Sequence, residues 1–89
     1  MTVQFKSGEI AESEYVSEMG NGTMFLILND MSVLKAATLL GGADLSEIKV
    51  SKVDMAGKIE TTTITGYTAV ESVSAQGTAA RAFLRRPGT

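Results

Sequence analysis

Residues 24–42, MFLILNDMSVLKAATLLGG, limit the possible folds of this chain more than any other stretch. The first five form its longest unbroken apolar run. A run of that length, bounded by Gly22 and by Asn29-Asp30, reads as a strand covered on both faces. A helix is predicted at once, over about residues 32–41. Ser32 can cap it, because its hydroxyl accepts from a free backbone N–H of the first turn. Val33, Ala36, Ala37 and Leu40 recur at helical spacing, so one stripe faces inward. Gly41-Gly42 should end the helix, since glycine enters the left-handed region without a Cβ clash. A central strand with a helix laid over it is the expected core.

The flanking segments read as strands. Val3-Gln4-Phe5 meets the turn signal Ser7-Gly8 and should enter a hairpin. The next strand is expected from about Tyr15, or from an earlier start with a bulge. Its glutamates, Glu9, Glu12, Glu14 and Glu18, belong on a wet face. Gly20-Asn21-Gly22 is the strongest turn and should join this strand to the central one. Beyond the helix, Ile48 and Val50 alternate with charged neighbours, and Val53 falls out of that register, which predicts a bulge near Ser51-Lys52. Ala56-Gly57 turns into KIETTTIT (58–65), rich in β-branched residues. Residues 68–75 suit one helical turn or a bulged strand, and their Val and Thr content favours the strand. Gln76-Gly77 turns into a last, two-faced strand in which Ala80, Ala82 and Leu84 alternate with Arg81, Phe83 and Arg85. Pro87-Gly88 should end order. The expected fold is α+β: one domain over 1–89, a mainly antiparallel sheet of about six or seven short strands, and a single helix packed on it.

Composition removes several kinds of chemistry. The chain has no Cys, His or Trp. Zinc and redox-metal sites lose their usual ligands, and the commonest general base is missing. Ten carboxylates are present, but they fall at exposed strand positions or in turns, and a small interior offers little shelter for raising a catalytic pKa. No GxSxG elbow or phosphate-binding loop occurs, and Gly41-Gly42 follows a helix rather than opening one. The chain is therefore expected to be non-enzymatic, with no catalytic residue, no metal and no cofactor. Residues 1–6 are too short and polar for a signal peptide, and no apolar run approaches the ~18 residues of a membrane span. Those features predict a cytosolic protein without membrane contact. Net charge is −2, divided into −4 over residues 1–30 and +2 over the rest, which does not suit general nucleic-acid binding. An apolar fraction of 44% with mean hydropathy +0.13 is high for 89 residues. It predicts a homo-oligomer, with a compact monomer as the plainer alternative.

One polar cluster has directional chemistry. In RAFLRR (81–86), Arg81 and Arg85 should leave one strand face with Phe83 between them. Arginine forks grip carboxylates and phosphates at two points, and Phe83 can stack on a ring. Tyr67, after Gly66, is a second aromatic candidate. Arg81, Phe83, Arg85 and Tyr67 form the candidate ligand site. The plainer readings are an edge strand with charges in water, or contacts to the acidic half of another copy, and a core tyrosine with a hydroxyl tip.

Four features carry a resemblance. They are the amino-terminal strand with its glycine turn (Phe5-Lys6-Ser7-Gly8), the apolar strand running into a Ser-capped helix (25–40), Leu45, Ile48 and Val50, and Thr-Gly-Tyr-Thr with the Val-Ser strand behind it (65–74). With these the chain resembles small uncharacterised proteins of tailed phages and prophages of Gram-positive bacteria. The resemblance implies a phage origin and the host cytosol as the place of action. It brings no known site residues. The corresponding functional expectation is an accessory protein that antagonises host antiviral defence by binding. It would sequester a small anionic nucleotide signal or block a defence protein. The alternative is a virion component of the tail or baseplate.

Overall fold

The computed structural model describes residues 1–19 and 22–86. It contains one helix and seven strands in a single antiparallel sheet, an α+β fold. The strands are β1 (Thr2–Phe5), β2 (Ile10–Met19), β3 (Thr23–Leu28), β4 (Glu47–Val53), β5 (Ile59–Thr65), β6 (Ala69–Gln76) and β7 (Ala79–Arg85), with α1 (Val33–Gly42) between β3 and β4. Their order across the sheet is β5-β4-β1-β2-β3-β7-β6. No helix among the described residues is long and apolar enough to cross a membrane.

The sheet cannot be flat. β5 and β6 are its two edges, yet only Gly66, Tyr67 and Thr68 join them. Flat, seven strands at ~4.8 Å spacing would set those edges about 29 Å apart. The link, fully extended, reaches only about 13 Å. The sheet therefore rolls, and its inner face holds the core: Val3, Phe5, Ala11, Met24, Leu26, Leu28, Ile48, Ala80, Ala82 and Leu84, with Ala36 and Leu40 of the helix, Leu45 and Tyr67. α1 lies against β6 and β7.

Local chemistry accounts for most boundaries. Hairpin turns at Gly8, Gly57 and Gly77 all take positive φ, the region glycine enters freely. Asp54 accepts from the backbone N–H groups of Ala56 and Lys58, at 2.9 Å each, and fixes the β4–β5 turn. The Ser32 hydroxyl caps α1 by accepting from Lys35 N–H at 3.1 Å. The Gly20-Asn21 part of the turn before β3 and the Pro87-Gly88 terminus lie outside the described residues.

β2 begins at Ile10 and contains a bulge between Ser13 and Tyr15, as the earlier-start reading expected. At this bulge the strand changes partners. Residues 10–12 pair with β1, whereas Ser13 and residues 15–19 pair with β3. Ser13 is fully buried, and its hydroxyl reaches the carbonyl oxygens of Tyr15 (2.9 Å) and Ile27 (3.0 Å). β6 is likewise a bulged strand, with the irregularity between Val70 and Ser72.

Four expectations are corrected. β3 is not covered on both faces: Met24, Leu26 and Leu28 are buried under the helix side, while Phe25 and Ile27 are half-buried on the outer side. The reason is that the rolled sheet encloses only its inner face, and α1 lies over β6 and β7 rather than over β3. The buried line of α1 runs through Ala36 and Leu40, flanked by half-buried Leu39 and Ala43, not through Val33 and Ala37, which are exposed. Gly41 and Gly42 stay within the helix, and extended Ala43 (φ −90) caps it. β4 has no bulge. It pairs with β5 without interruption from Glu47 opposite Thr65 to Val53 opposite Ile59, so Val53 simply points outward.

Two substitutions test this core. Leu26→Ala should cost about 2–5 kcal/mol, because the site can collapse only in part. Ser13→Ala should cost about 1–3 kcal/mol by removing the buried hydroxyl that bonds the Tyr15 and Ile27 carbonyls at the bulge. Urea unfolding measures both. A loss below about 1 kcal/mol for Leu26→Ala would contradict its central placement.

Candidate functional site on the outer sheet face

Strand register assembles the site. Along β7, Ala80, Ala82 and Leu84 point into the core, so Arg81, Phe83 and Arg85 share the outer face. β3 sets Phe25 opposite Phe83 and Ile27 opposite Arg81. β2 adds Tyr15 opposite Ile27 and Ser17 opposite Phe25. Three of the four residues expected from sequence thus come together, and they meet aromatic neighbours that the sequence did not single out.

Phe25 is the hub. The Tyr15 ring lies 5.6 Å from it, centroid to centroid, tilted by 32°. The Arg81 guanidinium carbon stands 4.9 Å over its other flank, where the ring quadrupole attracts a cation. Arg85 is turned to Glu71 instead, with Nε 3.1 Å from the carboxylate. Among the described residues no carboxylate lies within ion-pair distance of Arg81, which is exposed. Tyr15 (48% exposed) and Met19 (45%) extend the apolar surface in opposite directions along β2, on either side of Ser17. Phe25 and Tyr15 were missed because the register of β2 and β3 decides which face they occupy. The available signal was the aromatic content of two neighbouring strands.

Tyr67 lies elsewhere. It is wholly buried on the inner face, in the link that closes the sheet. Its hydroxyl donates to Glu18 Oε2 at 3.3 Å. Arg86 donates to the same oxygen at 2.8 Å and to Thr65 O at 3.1 Å, while its guanidinium covers the Tyr67 ring at 4.9 Å. This group ties the ends of β2, β5 and β7 together. Gly66, at φ +95, allows the close approach: a Cβ there would sit 3.1 Å from Arg86 Nε.

Two clefts lie away from the arginine face. One, of about 160 Å³, is lined by Gln4, Phe5, Lys6, Gly8, Glu47 and Lys49. The other, of about 200 Å³, opens beside Val16, Glu18, Val50, Lys52 and Ile64. Neither includes Arg81, Phe83 or Arg85. No group of three or more acidic side chains able to hold a metal ion occurs among the described residues.

No protein-family model matches the chain, and no curated protein or solved structure matches it.

Burial first, and then the charge of Glu18, push the Tyr67 hydroxyl above its ordinary value of 10.0, against the opposing pull of Arg86. The folded chain then keeps this proton at a pH where the unfolded chain loses it. The linked stability is complete below about pH 10 and is lost as pH rises through the folded pKa. The urea midpoint should fall above about pH 10, and Tyr67→Phe should flatten that fall. An unchanged slope in Tyr67→Phe would assign the effect to another group.

Proposed function

We propose that this chain is a non-enzymatic binding protein that engages a partner protein through the outer face of β2, β3 and β7. The observation that carries this reading is exposed Tyr15 against half-buried Phe25 and Phe83, with Arg81 laid over the Phe25 ring. Tyrosine and arginine are enriched among residues that dominate protein interfaces, and partly exposed rings beside a guanidinium are the side-chain types such sites use. The partner's chemistry follows from the face. It offers apolar groups to the rings and a carboxylate to Arg81.

Shape favours a protein over a free nucleotide. Sites for small molecules are concave, whereas this face is the outside of a rolled sheet. A nucleotide held there would gain stacking and an arginine contact but would remain in water on its far side. The phage setting and the antagonism of host defence rest on the sequence resemblance, and within that setting the blocking of a defence protein fits the outer face better than sequestration of a signal. A virion role is the alternative. The exposed apolar tip of the β4–β5 hairpin, with Met55 fully exposed, favours it.

The test uses phage plating on cells that carry antiviral defences. Expression of the parent should raise plating, and Arg81→Glu and Phe83→Ala should each abolish the gain while leaving the folded circular dichroism spectrum intact. Calorimetric titration of the parent with nucleotides should show no binding. If both variants antagonise defence as the parent does, the outer face is not the site. A nucleotide affinity that falls ten- to hundredfold in Arg81→Ala would restore sequestration. Recovery of the chain in purified virions would favour the structural role.

A further inference from the structure

The two edges of the sheet differ. β6 carries a bulge and lies against α1, both of which discourage the addition of another strand. β5 has neither protection. Its seven residues run in unbroken register with β4, and six of them are exposed. It contains no proline and one charge, Glu60, and its other six positions are β-branched, the residue type that fits a pleated surface best. Among the described residues no strand lies beside its outer row of backbone N–H and C=O groups, of which Arg86 holds the Thr65 carbonyl at one end. Next to this edge, Val53 and Ile59 form a cross-strand apolar pair, 66% and 67% exposed.

We propose that β5 pairs antiparallel with β5 of a second copy of this chain, about a twofold axis at Thr62, to join two seven-stranded sheets. Length and charge select the register. Thr62 is the middle residue of the strand, so an axis there sets all seven positions opposite one another, with the terminal Thr65 carbonyl shared between the partner strand and Arg86. Glu60 then faces the partner's Ile64, and Ile59 faces the partner's Thr65. An axis at Glu60 would instead set two carboxylates face to face, a destabilising arrangement, and would pair fewer residues. Glu60 is already accompanied by Lys52 at 3.9 Å on its own copy, so no like charges meet across the Thr62 axis. The pairing satisfies the open edge and shelters Ile59, which accounts for part of the high apolar fraction.

The absence of cysteine makes the axis testable. In Thr62→Cys the two thiols face each other, with Cα atoms about 4.5–5.5 Å apart, within disulfide reach. In Glu60→Cys they lie four residues apart along the pair, about 13 Å, and out of reach. Sedimentation of the parent at micromolar concentration should show a dimer. Mild oxidation should crosslink Thr62→Cys and leave Glu60→Cys uncrosslinked. Thr62→Lys should be a folded monomer, and mixing it with Thr62→Glu should restore a dimer. A parent that stays monomeric at high concentration overturns the proposal. So does a dimer in which Glu60→Cys crosslinks as readily as Thr62→Cys, or one that Thr62→Lys leaves intact.

Discussion

The whole architecture depends on a chain-length constraint. Three residues join the two edges of a seven-stranded sheet. Because the link is shorter than a flat sheet is wide, the sheet must roll, and rolling separates an inner face from an outer one. The inner face then has room for a single short helix and for Tyr67. Placing Tyr67 in the link is economical, since the residue that closes the sheet also fills the space that closure creates. Its hydroxyl would be stranded there without a partner, and Glu18 supplies one. Glu18 in turn sits beside Arg86, which holds the carbonyl of Thr65 at the end of β5. Exposed Glu18 and partly exposed Arg86 thus supply a partner for the buried Tyr67 hydroxyl at the rim of the closure.

Rolling also explains why one helix suffices. In a flat sheet of seven strands, ten helical residues would leave most of one face wet. Here β1, β2 and β4 contribute Val3, Phe5, Ala11 and Ile48 to the same cluster that Ala36 and Leu40 enter from the helix. The sheet buries itself against itself, and the helix covers the part over β6 and β7. The helix can accordingly afford an exposed Leu34 and a narrow buried line.

What was legible in the sequence was what neighbouring residues decide. The turns at Gly8, Gly57 and Gly77, the Ser32 cap, the hairpin order and the two-faced last strand follow from backbone preferences and a period of two. The one-sided burial of β3 is not legible because an apolar run looks the same whether its second face meets protein or is left half-exposed. Val53 reads as out of register because it is apolar, yet it lies on the outer face in unbroken pairing with Ile59. Tyr67 was visible as an aromatic at a strand break, but its partners stand 49 positions earlier and 19 later in the chain, and no local pattern announces them. The candidate site divides the same way. Arg81, Phe83 and Arg85 share a face because they alternate within one strand, whereas Phe25 and Tyr15 join them through pairing between strands.

A single inserted residue links closure to the candidate site. Before the bulge, Ala11 and Ser13 point inward. Strict alternation would continue with Tyr15, Ser17 and Met19 inward and with Val16 and Glu18 outward. The bulge reverses both sets. It turns Tyr15 outward against Phe25, and it turns Glu18 inward to the Tyr67 hydroxyl and Arg86. Ser13, wholly buried at this point, bonds to carbonyls of both β2 and β3 and so fixes the irregularity in place. Were β2 regular, a carboxylate would be lost from the closure and a bulky phenol would take the inner face in place of Val16 and Glu18. The outer face would then lose the ring beside Phe25. The aromatic surface and the polar tie between the ends of β2, β5 and β7 are therefore two consequences of one backbone irregularity.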